Sequence, residues 1–233
     1  MAKPESKTAL IVGAGQGLSA ALARLLAKEG MRIGLVARDS SKLAALCAET
    51  GALPFDCDVS RLEQVQRLFE QVDQRLPPLD LVIYNPGTRY PGPFTGLDPA
   101  EVERAIAVTA FGGFLVAQQA ARRMLPRGSG AIFFTGASAS IKGYAQSAPF
   151  AMGKFALRGL AQSLARELAP QGIHVAHFVI DGRIRPPHGA ELDGKADAML
   201  DPAAIAASYL QILSQPRSAW SWELELRPWV ERF

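Results

Sequence analysis

Cysteine and histidine are scarce in this chain of 233 residues, which contains two cysteines and three histidines. Cys47 and Cys57 do not form a CxxC pair, so no redox motif is indicated, and reduced buried thiols are expected. No group of histidine, cysteine and carboxylate residues has the spacing of metal ligands. No serine lies in a Gly-x-Ser-x-Gly elbow, which argues against a serine hydrolase.

Long apolar runs and clustered charge are also absent. The longest uncharged stretch, 105–121, has 17 residues and includes two glycines and two glutamines, so it is too short and too polar to cross a membrane. The net charge is only +3, and basic runs such as Arg122-Arg123 are too short for a nucleic-acid surface. The first residues contain no cleavable apolar segment. These observations predict a cytoplasmic protein that binds neither nucleic acid nor membrane.

Short apolar runs alternate with helical patterns along the whole chain, and no linker or repeat interrupts them. Thr8 to Val12 and Arg32 to Ala37 are typical of buried strands, and a helical pattern from Leu18 to Glu29 separates them. Trp222 to Leu226 alternates outward acids with inward apolar groups, as in a half-buried edge strand. Seven strands interleaved with six helices predict one α/β domain over 1–233, with a doubly wound, mostly parallel sheet and helices on both faces.

Helix boundaries are marked by local signals. Ser60 and Glu63 have the spacing of a capping box, in which a hydroxyl and a carboxylate satisfy free backbone amides reciprocally. Asp98 precedes a proline at a position that needs no amide hydrogen, which predicts a helix start. The helix beginning there is expected to continue to Leu125, and a second long helix covers 149–169.

The most informative stretch is the glycine-rich turn 12–19, Val-Gly-Ala-Gly-Gln-Gly-Leu-Ser, between the first strand and the first helix. Gly13 permits a tight turn, and Gly17 lets the backbone approach a pyrophosphate held at the helix N-terminus. A glycine triplet alone is weak evidence because glycine turns are common. Its place directly after a strand and before a helix indicates dinucleotide binding.

In the order of its motifs the chain resembles the short-chain dehydrogenase/reductase family. The turn 13–18 is similar to the family's glycine pattern, although Ser19 stands where a third glycine is usual. Asp-Val at 58–59 matches the family's adenine-contacting pair, Tyr-Asn-Pro-Gly at 84–87 resembles Asn-Asn-Ala-Gly, and Asp-Gly-Arg-Ile at 181–184 stands for Pro-Gly-x-Ile. The resemblance implies a Rossmann fold and a nucleotide site formed by Gly13, Gly15, Gln16, Gly17, Leu18, Arg38, Asp58, Val59, Asn85, Pro86, Gly87, Lys154, Gly182 and Ile184.

The end of the second strand bears on the choice of cofactor. It is Ala37, where a protein that prefers NAD usually carries an acid for the ribose hydroxyls. Arg38 follows and could grip a 2′-phosphate bidentately, with added contacts from Ser40 and Lys42. The alternative is an ordinary exposed arginine, and Gln16 does not supply the second basic group that many family members have. We expect NADP(H) to be preferred over NAD(H).

The catalytic positions are where the chain departs from the family, which uses Asn, Ser, Tyr and Lys. The family's phenol hands a proton to the carbonyl oxygen, and its lysine lowers the phenol pKa. Lys154 is present, but Phe150 stands at the Tyr position and Thr109 at the Asn position. Counting back thirteen residues from Phe150 gives Ala137, and a shift of one residue would restore Ser138.

Two other side chains are candidate proton donors. Tyr144 lies in the loop before the second long helix, although it could equally pack against that loop. His188 lies in the segment 183–200, which corresponds to a flexible substrate lid in the family, although a solvent-exposed histidine is the plainer interpretation. An apolar cleft formed with Phe94 and Phe150 is expected beside these groups. His174 and His177, near the sixth strand, are expected to be structural.

Two hypotheses about function remain open at this point. The first is an NADP(H)-dependent oxidoreductase that transfers a hydride to or from a small carbonyl, alcohol or activated-alkene substrate and takes its proton from a group other than Tyr. The second is a catalytically silent NADP(H)-binding sensor or partner subunit. Losing a positioned general acid costs about 10²–10⁴ in rate, so the missing phenol is compatible with either.

The two long helices carry more apolar side chains than one sheet can bury. The side chains expected to remain exposed are Val102, Ile106, Phe114, Val116, Phe155, Leu157, Leu160 and Leu164. The family commonly pairs these helices across a two-fold axis, and such an interface needs only one self-complementary patch. A second aromatic surface is expected from Trp220, Trp222, Trp229 and Phe233. We therefore expect a homodimer or homotetramer.

Overall fold

A computed structural model describes residues 7–187, 189 and 195–231 of the protein. Its strands are β1 (Thr8–Val12), β2 (Arg32–Ala37), β3 (Leu53–Asp56), β4 (Leu81–Tyr84), β5 (Gly130–Thr135), β6 (Ile173–Ile180) and β7 (Glu223–Leu226). They form one sheet in the order β3-β2-β1-β4-β5-β6-β7, and every pair is parallel. The predicted sheet is thereby confirmed.

Helices cover both faces of this sheet. They are α1 (Leu18–Lys28), α2 (Ala44–Thr50), α3 (Leu62–Arg75), α4 (Pro99–Ile106), α5 (Gly112–Met124), α6 (Ala148–Leu168) and α7 (Pro202–Leu213). Side chains of α1, α2 and α7 share one buried apolar cluster, and those of α3, α5 and α6 share the other. This is a single Rossmann-type α/β domain, and its strand order reverses beside β1, where such folds place their ligands.

The edge strand β7 differs in one respect from the expected alternation of outward acids and inward apolar groups. Leu224 and Leu226 do pack against the cluster formed with α1 and α7. Glu223, however, does not face water. Its carboxylate accepts two hydrogen bonds of 2.7 Å from the guanidinium of Arg158 on α6, and it also contacts His177 on β6 at 3.1 Å. The outward face of the edge strand is therefore covered at Glu223, whereas Glu225 on the same face is exposed.

The long helix expected from Asp98 to Leu125 begins as predicted. The Asp98 carboxylate accepts a hydrogen bond of 3.0 Å from the amide of Ala100, and this caps α4. Between α4 and α5, however, the helix passes through a π turn at Ala107–Phe111. Turns of this kind are frequent at functional sites.

Tyr84 stabilises this π turn from the end of β4. Its ring is fully buried, and its hydroxyl donates a hydrogen bond to the carbonyl of Val108. Gly112 permits the approach, since a Cβ there would lie 2.5 Å from the Tyr84 hydroxyl oxygen. Burial raises the pKa of Tyr84 well above its ordinary value, so the phenol stays protonated and donates. The tyrosine therefore links the sheet to the helix turn that carries Thr109.

The capping box expected at the start of α3 is wrong. The Ser60 hydroxyl donates instead to the carboxylate of Asp58 at 2.7 Å, and α3 begins only at Leu62, without a side-chain cap. The Gln64 side chain accepts from the amide of Asp58 at 2.8 Å. A competing turn centred on the carboxylate thus takes the serine that a capping box would need.

The two thiols are free, as expected, but only one is fully buried. Burial raises the pKa of Cys57 to about 12, which keeps it a thiol, whereas Cys47 is half-buried. Within the described residues no helix is long and apolar enough to span a membrane. Among the same residues no group of three or more histidine, cysteine and acidic side chains could hold a metal ion.

The expected excess of apolar side chains on the long helices is real but involves partly different residues. Val116 and Leu157 are fully buried within the domain, so their predicted exposure is wrong, whereas Phe114 and Phe155 are exposed. Val102, Ile106, Leu160 and Leu164 are half-buried. The exposed apolar patch consists of Phe111, Phe114, Met152 and Phe155, and the rings of its first two residues stack at 6.1 Å.

The expected C-terminal aromatic surface is largely wrong. Trp220 stacks on His174 at 4.6 Å, and Trp222 lies beneath the guanidinium of Arg158 at 5.7 Å. Trp229 is 79% exposed. Phe233 lies outside the described residues. Two of the three tryptophans are thus used within the domain and do not form a shared surface.

The contact between Tyr84 and the π turn gives a stability prediction. Tyr84→Phe removes only the hydroxyl and leaves the buried Val108 carbonyl without this donor, so the free energy of unfolding should fall by about 1–2 kcal/mol. Denaturant titration followed by circular dichroism measures this change. Tyr90→Phe, at a half-buried site, is the control and should change it by less than about 0.5 kcal/mol. Equal stabilities of Tyr84→Phe and the unmodified protein would contradict the assigned role.

Candidate functional site

The glycine-rich turn forms the floor of an open cradle between β1 and α1. Gly13 has φ +80°, and a Cβ there would lie 2.8 Å from the Pro86 ring, so the position requires glycine. Gly15 and Gly17 face open space, with no heavy atom within 4 Å of where a Cβ would stand. The turn is therefore tightly packed on its sheet side and open above the start of α1, where a pyrophosphate could lie against backbone amides.

Ser19, which replaces the family's third glycine, fixes this turn. Its hydroxyl donates to the carbonyl of Gly13 at 3.0 Å and accepts from the side-chain amide of Asn85 at 2.8 Å. Asn85 follows β4, so the serine connects the ends of two neighbouring strands. The replacement thus has a structural reason and leaves the cradle open.

A cavity of about 430 Å³ continues from the turn along the ends of β2 and β3. The predicted nucleotide residues that line it are Gly13, Gly15, Gln16, Arg38, Asp58, Val59, Pro86 and Gly87. Leu18 and Gly17 line a smaller pocket on the other side of the turn, together with Asn85 and Ile184. The structure therefore brings twelve of the fourteen predicted nucleotide-binding residues together around one glycine turn, while Lys154 and Gly182 line a separate cavity.

Two carboxylates line the same cavity, and sequence reasoning overlooked one of them. Asp39 follows Arg38, but its carboxylate accepts hydrogen bonds from the amide and hydroxyl of Ser41, which lower its pKa, and it pairs with Lys42 at 3.2 Å. Burial would raise the pKa of Asp58, but the two hydrogen bonds from Ser60 help to hold it below its ordinary value. Both acids are thus engaged in their own turns.

A second cavity of about 930 Å³ lies over the ends of β5 and β6 and meets the first at Gly87. It brings together the four predicted catalytic positions, Ser138, Tyr144, Phe150 and Lys154, as well as Gly182 and Ile184. Ala137 also lines this cavity, so the position that corresponds to the family's serine lies at its wall whether that position is Ala137 or Ser138. Ser138 is half-buried, and no hydrogen bond among the described residues uses its hydroxyl. Phe94 is 81% exposed and lies outside this cavity, so its predicted place in the cleft is wrong.

The ammonium group of Lys154 is the most constrained charge in the site. Its side chain is 3% exposed, and Nζ donates to the carbonyl of Thr135 at the end of β5, at 2.7 Å. Burial, with repulsion from Arg89, lowers the pKa of Lys154 to about 7. Phe150 lies one helical turn earlier, and its ring centroid is 5.8 Å from Nζ. The lysine and the ring thus occupy one face of α6, as their spacing predicts.

Thr109 does not reach this cavity. It is fully buried in the π turn, and its hydroxyl oxygen accepts a hydrogen bond of 3.1 Å from the amide of Thr88. The residue at the family's Asn position therefore holds the loop that follows β4. Its contribution to the site is the position of that loop.

Two cavity residues were missed by sequence reasoning. The guanidinium carbon of Arg89 lies 4.9 Å from the centroid of the Phe150 ring. Asp181, at the end of β6, is almost fully buried and pairs with Lys142 at 3.3 Å and with Arg227 at 3.2 Å. Asp181 directly follows β6, and Arg89 lies in the loop that follows β4, five residues beyond its end. The direction of a side chain in such a loop cannot be read from spacing.

The predicted lid can be followed only in part. Its two ends are joined, because Ile184 bridges Leu200 and the amide of Leu200 donates to the Arg183 carbonyl at 2.9 Å. His188 and residues 190–194 lie outside the described residues, so the proposed proton donor His188 remains a prediction. Tyr144 is exposed at the cavity wall and likewise remains a candidate.

The two histidines of β6 are structural, as expected, but they lie within the strand. His174 bonds the carbonyl of Ser221 through Nε2 at 2.9 Å. His177 is fully buried, and Nδ1 contacts the carboxylate of Glu223 at 3.1 Å. Burial outweighs the attraction of Glu223 and lowers the pKa of His177 to about 4.

A parallel sheet with a glycine cradle at its switch point and a buried lysine beside it defines the nucleotide-binding class of α/β oxidoreductase folds. A model of the family described as short chain dehydrogenase matches residues 7–191. The chain belongs to this family of oxidoreductases.

Individual relatives agree with this membership. A short-chain dehydrogenase structure from Rhodopseudomonas palustris is 35% identical, with a TM-score of 0.84, and the match covers 97% of this chain and 100% of that one. A metagenomic short-chain oxidoreductase in complex with NADP is 27% identical, with a TM-score of 0.84 and coverages of 95% and 97%. An uncharacterized oxidoreductase of Staphylococcus saprophyticus is 26% identical over 98% of this chain and 100% of its own length.

The buried His177 gives a pH prediction. Its folded pKa of about 4 lies below the ordinary value of 6.5, so between these values the unfolded chain binds a proton that the folded protein does not. Stability should therefore fall as the pH drops from about 6.5 to 4, by up to about 3 kcal/mol from this residue. Urea titrations at several pH values measure the slope, and His177→Gln should reduce it. An unchanged slope in the variant would contradict the assignment.

Proposed function

We propose that the protein is an NADP(H)-dependent oxidoreductase acting on small carbonyl or alcohol substrates, or on activated alkenes, with an active site that lacks the usual phenol. The observation that carries this proposal is the junction at Gly87, where the open glycine cradle meets the cavity above Lys154. A nucleotide lying along the cradle would bring its reactive ring toward Phe150, Ser138 and Lys154. The family membership supports the same reaction class.

The residues present suit the nucleotide. The backbone of Gly15 and Gly17 has room for a pyrophosphate, and Asp58 and Val59 line the wall expected for the adenine. The ammonium of Lys154 would bind the hydroxyls of the nicotinamide ribose. When bound, the nicotinamide ring supplies or accepts the hydride.

The protein's own residues would position the carbonyl and manage its charge. The Ser138 hydroxyl lies free in the cavity and would donate to the carbonyl oxygen. As the hydride bonds to the carbonyl carbon, the C=O π pair moves to the oxygen, and the resulting alkoxide takes a proton. Phe150 has none to give, so the proton would come from Tyr144 or from water in this open cavity. Such a site would be slower than one with a phenol by about 10²–10⁴.

The preference for NADP(H) rests on the charges at the end of β2. Arg38 is exposed at the cavity wall, and the neighbouring Asp39 carboxylate is engaged by Ser41 and Lys42. A 2′-phosphate would therefore meet a guanidinium and no free carboxylate on this turn. The metagenomic short-chain oxidoreductase to which the chain is similar is in complex with NADP, which supports the same choice.

The alternative is a catalytically silent NADP(H)-binding sensor or partner subunit. It is favoured by Phe150 in place of the phenol and by Thr109, whose hydroxyl is used by the Thr88 amide. A panel of ketones, aldehydes and activated alkenes with NADPH, followed at 340 nm, separates the two. Turnover of any of them supports the oxidoreductase. NADPH binding at micromolar concentration without turnover of any compound supports the sensor.

Self-association through α5 and α6 is part of the proposal. The exposed apolar patch of Phe111, Phe114, Met152 and Phe155 lies on neighbouring helices, and an isologous dimer would cover it. We also propose that 183–200 acts as a substrate lid, since its first residues, Arg183 and Ile184, line the second cavity and Ile184 bridges Leu200 at its other end.

Arg38 gives a prediction about cofactor preference. Arg38→Ala should weaken NADPH binding by about tenfold to a hundredfold and NADH binding by less than about threefold, because only NADPH carries the 2′-phosphate. Fluorescence titration of both nucleotides measures the two affinities. Arg32→Ala, at the opposite, amino-terminal end of β2, is the matched control and should change neither. Equal losses for both nucleotides would contradict the preference.

The exposed patch gives a prediction about assembly. Sedimentation at micromolar concentration should show a dimer or tetramer, and Phe114→Glu should shift it to monomer, since a buried carboxylate without a partner opposes association. Phe94→Glu, at an equally apolar but separate exposed site, should leave the assembly unchanged. A monomer in the unmodified protein would disprove this interface.

A further inference from the structure

The ring of Phe150 has two cations beside it and no counter-ion. The guanidinium carbon of Arg89 lies 4.9 Å from the ring centroid, and Nζ of Lys154 lies 5.8 Å from the same point. Among the described residues no carboxylate lies within ion-pair distance of either cation. Lys154 has the carbonyl of Thr135 as a partner, whereas the contact that Arg89 makes among the described residues is with the face of the ring.

The acids of the same cavity do not offset this charge. Asp181 is paired with both Lys142 and Arg227 through the same carboxylate oxygen, and its side chain is 4% exposed. Glu231 is exposed at the rim. Arg183 adds a third exposed cation to the lining. Among the residues that the structure describes, the lining next to the expected position of the reacting carbon therefore carries more positive than negative charge.

The charge on Arg89 also acts on the lysine. After burial, repulsion from Arg89 is the cause that lowers the pKa of Lys154. Two like charges held near one ring repel each other, and an anion bound beside them would relieve that repulsion. A guanidinium presents two parallel N–H donors, a geometry that fits a carboxylate.

We propose that Arg89 is a substrate-binding residue that selects carbonyl compounds carrying a carboxylate close to the reacting carbon, as in a 2-oxo or 3-oxo acid. The guanidinium would bind the carboxylate, while Ser138, which lines the same cavity, would bind the carbonyl oxygen. The short distance from Arg89 to the ring at the family's Tyr position places the carboxylate within a few bonds of the carbonyl. This inference rests on the proposed oxidoreductase function and adds its substrate class.

A pair of probes that differ only in charge tests the inference. Benzoylformate and methyl benzoylformate share the same reducible carbonyl, but only the first is an anion. With NADPH, the unmodified protein should have a kcat/KM at least tenfold higher for the acid. Arg89→Met should lower kcat/KM for the acid by about tenfold to a hundredfold, mainly through KM, and change that for the ester by less than about threefold. Arg89→Lys should restore part of the loss.

Binding measurements separate this inference from the reaction itself. Benzoylformate is titrated calorimetrically into the protein saturated with NADP, so that a result is obtained even if neither probe turns over. Binding of the acid that is lost in Arg89→Met and kept in Arg32→Met supports the inference, with or without turnover. Absence of acid binding at millimolar concentration, preference for the ester, or equal loss for both probes overturns it. A weaker affinity for NADPH in Arg89→Met also overturns it, since the residue would then bind the cofactor.

Discussion

The hydrogen bond between the Lys154 ammonium and the Thr135 carbonyl is the constraint on which the site depends. A buried cation without a partner would be costly, so α6 must lie where Nζ reaches the end of β5. In this position of α6, the Phe150 ring lies beside the lysine and packs near the loop that follows β4. The loop itself is held by Thr109 in the π turn, which Tyr84 fixes from the sheet. The cavity is thus shaped by contacts that begin at two strand ends.

The same constraint explains how the site differs from a family site with a phenol. A phenol beside Lys154 can ionise, and the negative charge of the phenolate would then offset the positive charge of the ammonium. The Phe150 ring cannot ionise, so the charge of the ammonium is not offset in this way. Arg89 approaches that face and adds charge without neutralising the lysine. The nucleotide side is different, because Ser19 and Asn85 preserve an open cradle despite the missing glycine. In the function that we propose, the chain therefore departs from the family at its catalytic end, while its glycine turn remains open for a nucleotide.

Much of the fold could be predicted from the sequence because its signals are local. A glycine after a strand, a proline after an aspartate and an apolar run at a central strand each predict one helix or strand from neighbouring residues. All seven strands of the sheet agree with the prediction. Predictions failed where two local options competed. Ser60 had both a capping box and the Asp58 carboxylate within reach, and the structure uses the second. Spacing also could not tell that Glu223 turns inward, because its partners Arg158 and His177 are distant in sequence.

The residues of the candidate site that belong to family motifs could be predicted from the sequence. Those that lie in loops outside the motifs could not. The count from Phe150 left Ala137 and Ser138 open, and the structure puts both at the cavity wall. Arg89 was missed because a loop residue's direction depends on the elements around it. Val116 and Leu157 were taken as exposed because helical periodicity does not show how much of a face a neighbouring helix covers.

Phe150→Tyr tests most directly whether this is a reductase site without its acid. The change adds one oxygen to a ring that already lies beside Lys154, whose ammonium would lower the pKa of the new phenol. With NADPH and the ketone panel, carbonyl reduction should appear or rise by at least about tenfold, the lower range of general-acid catalysis. Unchanged rates for every compound, with NADPH binding intact, would contradict the oxidoreductase proposal and favour the nucleotide sensor.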